Sequence, residues 1–127
     1  MKIAICEDNE NDANVLMLRL NEAYRSELCD LYSSAFLLLE AYAEGKRYDL
    51  IFMDIEMPGI SGYDAAKLIY DTYPAEFPLI VFLTVTSSYV YSAYYLGWAY
   101  KIKPITPEDL SELLNRAVKK SVSGVLR

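Results

Sequence analysis

Runs of apolar residues without polar alternation recur along this chain, and stretches of helical period separate them. Leu50-Ile51-Phe52-Met53 is the clearest run, and it leads directly into Asp54. Continuous apolar runs of this length read as strands buried on both faces, the signature of a parallel sheet. The pattern predicts strands over Lys2–Cys6, Cys29–Ser33, Asp49–Asp54, Leu79–Thr84 and Tyr100–Ile102. Between them, Val15, Leu16, Leu20 and Ala23 mark a first helix, and Phe36, Leu37, Glu40 and Ala41 a second, nearly apolar one. A third helix is predicted from about Tyr63 to Tyr73 with Ala66, Ile69 and Tyr70 on its inner face, and a fourth from about Ser88 to Leu96. The last opens at Thr106-Pro107-Glu108-Asp109, a capping hydroxyl followed by proline and first-turn acids. Its buried stripe is Leu110, Leu113, Leu114, Ala117 and Val118.

Strands alternating with helices through short connections require a parallel sheet with right-handed crossovers. Five such units predict a flavodoxin-like α/β fold, a doubly wound (βα)5 five-stranded sheet in the order 2-1-3-4-5. Its ligand crevice lies at the carboxyl ends of the first and third strands. The chemistry-bearing residues sit at such ends. Glu7 and Asp8 follow the first strand, Asp54 closes the third, Thr84 closes the fourth and Lys103 follows the fifth. Taken singly, each has a plainer reading; Asp8, for one, suits the cap of a helix starting near Glu10.

Composition narrows the chemistry. The chain has 127 residues, the size of one domain, and a net charge of −6, which disfavours unaided binding to nucleic acid. It contains no histidine, which excludes histidine-activated nucleophiles and the common zinc sites. No segment has the ~20 continuous apolar residues of a membrane span, so a cytoplasmic location without membrane contact is expected. Cys6 and Cys29 fall in predicted strands and read as reduced core thiols. Glu7, Asp8 and Asp54 would converge. Like charges ~4 Å apart cost on the order of 4 kcal/mol at an effective dielectric of 20, so such a cluster protonates or recruits a cation. With oxygen donors only, magnesium fits best, held by carboxylates, a backbone carbonyl near Glu56 and water. Asp54 is then placed to attack a phosphoryl group, with Lys103 and Thr84 to receive its oxygens.

The order and spacing of Glu7-Asp8, Asp54-Ile55-Glu56-Met57-Pro58-Gly59-Ile60-Ser61-Gly62, Leu83-Thr84 and Lys103-Pro104-Ile105 resemble the receiver domain of bacterial two-component response regulators. The likeness implies that Asp54 accepts a phosphoryl group from a sensor histidine kinase. It also implies that Glu7, Asp8, Asp54 and the Glu56 carbonyl organise magnesium. Thr84 and Lys103 would bind the phosphoryl oxygens, and Tyr100 would be the aromatic switch. Receiver character is expected over residues 1–122, with 123–127 starting a linker or tail. Tyr89, Tyr94 and the segment Trp98–Ile105 resemble regulators that carry a LytTR-type DNA-binding domain. DNA contact, and with it transcription regulation, is expected only through such a domain, which these residues do not include. Tyr89, Tyr91, Tyr94, Tyr95, Trp98 and Tyr100 crowd the face of the fourth helix, fifth strand and fifth helix. Aromatic enrichment of that kind predicts a phosphorylation-promoted homodimer. The competing expectation is a receiver-like interaction module that works without phosphorylation, for which Val85 and a short Thr84–Lys103 interval speak. A phosphohydrolase with an aspartyl nucleophile has Asp54-Ile55-Glu56 superficially in its favour. It fits less well, because Met57-Pro58 follows and the chain is too short for the cap or further domain such enzymes typically need.

Overall fold

The computed structural model describes residues 1–23, 29–85 and 99–125. Five strands form one sheet: β1 (Ile3–Cys6), β2 (Cys29–Tyr32), β3 (Leu50–Asp54), β4 (Leu79–Thr84) and β5 (Ala99–Ile102). All pairings are parallel, in the order β2-β1-β3-β4-β5. The expected topology is therefore the observed one. Helices α1 (Glu10–Ala23), α2 (Ala35–Ala43) and α3 (Gly62–Thr72) connect the strands, with a short 3-10 turn at Pro74–Glu76. A C-terminal helix, Pro107–Val125, closes the chain and extends past residue 122. The expected fourth helix, and with it Tyr89, Tyr91, Tyr94, Tyr95 and Trp98, lies outside the described residues.

Every side chain of β1, β3 and β4 is buried, because each strand contributes to both layers of core. On one face Ala4, Cys6, Ile51, Met53, Ile80 and Phe82 pack against Leu38 and Tyr42 of α2 and Ala65, Ala66 and Ile69 of α3. On the other, Ile3, Ile5, Phe52, Val81 and Leu83 meet Leu16 and Leu20 of α1 and Leu110, Leu113, Leu114 and Ala117 of the C-terminal helix. The edge strands β2 and β5 are only partly covered. Cys29, on β2, is accordingly half-buried and not a core thiol, whereas Cys6 is fully enclosed.

Several inward-facing assignments shift. Val15 and Ala23 of α1 are exposed, and Ala13 joins Leu16 and Leu20 inside. In α2, Phe36, Leu37 and Glu40 face outward while Ala35, Leu38, Ala41 and Tyr42 are buried. That helix is apolar on nearly every side, so its hydrophobic period carries no phase. The phase follows from its start, where Ser34 Oγ accepts the Leu37 N–H at 3.2 Å and caps the helix. Tyr70 and Val118 are likewise exposed. Tyr70 instead packs its ring edge-on against Phe77, 5.0 Å between centroids.

Candidate functional site

Parallel pairing aligns the strand ends that matter. Cys6 registers with Met53, and Asp54 with Leu83, so Glu7, Asp54 and Thr84 follow one another across the rim of the sheet. Ladder bonds continue past the strands and fix these positions. The Glu7 N–H donates to Tyr32 O at 3.0 Å, Ile55 N–H to Leu83 O at 3.2 Å, and Lys103 N–H to Thr84 O at 2.8 Å. Lys103 joins Pro104 through a cis peptide bond.

The side chains meet above that rim. One carboxylate oxygen from each of Glu7, Asp8 and Asp54 lies within 4.8 Å of the others. Glu7 and Asp54 are buried and Asp8 is exposed. Lys103 Nζ sits 2.5 Å from Glu7 Oε1, 3.1 Å from Asp12 Oδ2 and 3.6 Å from Asp54 Oδ1. A cavity of about 200 Å³ opens over the cluster, lined by Asp8, Asn9, Asp12, Asp54, Glu56, Thr84, Val85 and Lys103. The structure thus brings together Glu7, Asp8, Asp54, Thr84 and Lys103 from four separate strand ends. Glu56 lies at the cavity wall with its side chain exposed, and its N–H donates to Asp54 Oδ1 at 3.3 Å. Tyr100, half-buried on β5, packs against the core layer beneath.

The electrostatics follow from crowding. Burial, then a hydrogen bond and charge repulsion from Glu7, push the Asp54 carboxyl up to about 8, with Lys103 pulling the other way. Burial also pushes the Cys6 thiol up to about 12, reinforced by the charges of Asp54, Glu7 and Asp8. For Lys103, burial works against the ammonium, but hydrogen bonds to Glu7 and Asp12 outweigh it and hold the group above the usual lysine range. Three carboxylates meet there, more negative charge than the Lys103 ammonium alone offsets. Magnesium, a hard cation, takes carboxylate oxygens readily, and the three here lie within 4.8 Å of one another. The donor set therefore fits a hard divalent cation.

Residues 3–115 match the response regulator receiver domain family. The chain belongs to that family. Sensory transduction protein LytT of Oceanobacillus iheyensis is 32% identical to this receiver domain over 122 residues, which is 95% of the chain and 49% of that relative. Transcriptional regulatory protein BtsR of Salmonella typhi is 37% identical over 71 residues, 55% of the chain and 28% of that protein. The receiver domain thus spans about half the length, or less, of the curated relatives it matches. Among solved structures, the response regulatory domain of mrkE from Klebsiella pneumoniae superposes with a TM-score of 0.83 at 23% identity, covering all of both chains. Chemotaxis protein CheY4 of Vibrio cholerae gives 0.76 at 24% identity over 91% of this chain and 97% of that one. These likenesses show the fold.

Three features of the site are not evident in the strand pattern. Asn9, not Asp8, caps α1: its Oδ1 accepts the Asp12 N–H at 3.0 Å, which leaves Asp8 free to turn toward the cluster. Asp12 reaches Lys103 from the first turn of α1, at 3.1 Å. Gly62, at the start of α3, packs directly on the phosphoacceptor candidate's backbone. A Cβ there would lie 2.0 Å from Asp54 O and 2.7 Å from Met53 Cγ. Its N–H donates to Ile55 O at 3.0 Å, so α3 begins as close to β3 as a backbone allows.

Proposed function

We propose that this receiver domain takes a phosphoryl group onto Asp54 from a phosphohistidine of a sensor histidine kinase and changes its output surface in response. The observation that supports this best is the convergence of Glu7, Asp8 and Lys103 on a buried Asp54 at the floor of a cavity. In the transfer, an Asp54 carboxylate oxygen bonds to phosphorus as the donor's N–P bond breaks, and the electron pair leaves with the imidazole nitrogen. Such chemistry depends on positioning and charge neutralisation more than on covalent assistance. Bound magnesium, which Glu7, Asp8, Asp54 and the Glu56 carbonyl would hold, supplies charge neutralisation for the phosphoryl oxygens. Lys103 and Thr84 hold the transferred group by an ammonium contact and a hydroxyl bond. If each gains ~1.5–3 kcal/mol in the phosphorylated state, their sum approaches the ~5.5 kcal/mol that swings a two-state equilibrium from 1:99 to 99:1.

Phosphorylation is then expected to draw Thr84 toward the new group and to let Tyr100 follow behind it. That remodels the face around β5 and the C-terminal helix and promotes a homodimer there. With a DNA-binding domain in the same protein, the consequence is control of transcription in the cytoplasm. Incubation with acetyl phosphate and magnesium, followed by intact mass, tests the first step. One phosphoryl adduct is expected, and Asp54→Asn abolishes it. A chain that never takes up phosphate under these conditions is instead a phosphorylation-independent interaction module.

A further inference from the structure

The Lys103 ammonium has three N–H donors, and the fold distributes them unequally. Its distances of 2.5 Å to Glu7 and 3.1 Å to Asp12 are hydrogen bonds, whereas 3.6 Å to Asp54 is a charge contact only. The two hydrogen-bonding acids differ in one decisive respect. The Glu7 side chain is 2% exposed and the Asp12 side chain 46%. The Glu7 contact is shielded; the Asp12 contact lies at the cavity wall on an exposed side chain, where solvent can replace it. Asp12 is held in place through its backbone, because the Asn9 cap fixes the first turn of α1.

We infer that Asp12 is a positioning residue that holds Lys103 back from Asp54 until a phosphoryl group competes for the ammonium. This rests on the reading of Asp54 as phosphoacceptor. In the resting chain Lys103 donates to Asp12. Once phosphorus is bonded to Asp54, a phosphoryl oxygen takes that donor and the Asp12 carboxylate turns into solvent, with no covalent change to it. Asp12 opposes uptake in two ways: it draws the ammonium toward itself, 3.1 Å against 3.6 Å to Asp54, and its charge lines the cavity by which an anionic donor enters.

Asp12→Asn removes the charge and keeps the size and the backbone donor to Asn9. Asp12→Glu keeps the charge. Adduct formation from acetyl phosphate with magnesium, followed by intact mass, is expected to be about threefold to fivefold faster in Asp12→Asn, the range of a half-exposed ion pair, and close to wild type in Asp12→Glu. Calorimetric titration with beryllium fluoride, which involves no turnover, is expected to show a similar gain in affinity for Asp12→Asn. High salt narrows both differences, because the contact is exposed to screening. A rate or affinity for Asp12→Asn equal to or below wild type overturns the proposal. Wild-type chain that forms no adduct and binds no beryllium fluoride overturns the phosphoacceptor reading itself.

Discussion

Asp54, Gly62 and Lys103 show how single positions divide the work of this site. Asp54 is buried among acids, so its carboxyl group is raised, and a cation is the natural remedy. Gly62 has a purely steric part. Any side chain there collides with the Asp54 carbonyl, so Gly62→Ala forces α3 to shift away from β3. We expect Gly62→Ala to cost ~1–3 kcal/mol in urea unfolding, the usual range for overpacking, and to slow adduct formation at Asp54. Lys103→Ala leaves Glu7 buried without its partner, a change expected to destabilise by roughly 3–5 kcal/mol. Lys103→Arg is expected to recover stability but not full phosphoryl uptake, since a planar guanidinium does not replace a compact ammonium. Denaturant titration alongside intact-mass kinetics separates the two effects.

At the level of elements, the helices differ in what determines their inner faces. The C-terminal helix is strongly amphipathic, and its stripe of Leu110, Leu113, Leu114 and Ala117 is buried as its period indicates. Leu113→Ala is expected to cost ~2–5 kcal/mol, whereas exposed Val118→Ala stays within about 0.5 kcal/mol; thermal or urea unfolding distinguishes them. Helix α2 is the opposite case, apolar all round, so capping by Ser34 and contact with the sheet choose which side faces inward. Helix α3 starts at Ser61, whose Oγ accepts the Asp64 N–H at 3.1 Å. Ser61→Ala is expected to cost ~1 kcal/mol and, through Gly62, to loosen the approach of α3 to Asp54.

Over the molecule as a whole, two layers of core enclose the sheet, and the acids collect at one rim of it. No described helix is long and apolar enough to cross a membrane. Away from the acidic rim, burial pushes the Cys29 thiol up to about 11, with a smaller contribution from Asp30, and the Tyr42 hydroxyl up to about 12. Both groups ionise more easily in the unfolded chain, from ordinary values of 9.0 and 10.0. The folded state then binds more protons than the unfolded state, so stability falls as pH rises. That loss is expected to begin near pH 9 and to continue to about pH 12, read as a falling urea midpoint. Cys29→Ala makes the first part of the fall shallower, with Cys6 still contributing to it. A midpoint constant across that window contradicts the partial burial of Cys29 and the full burial of Tyr42.

The strand runs, their end residues and the order of elements were readable without coordinates, because a doubly buried parallel strand leaves a continuous apolar signature and its carboxyl end must then be polar. The strand-end positions of Asp54, Glu7, Asp8, Thr84 and Lys103 were legible for the same reason. The phase of α2, the half-exposure of Cys29 on an edge strand, the closeness of Gly62 to the Asp54 backbone and the reach of Asp12 to Lys103 were not. Each depends on how separate elements come to lie against one another, and chain-local periodicity carries no record of distances between segments far apart in sequence.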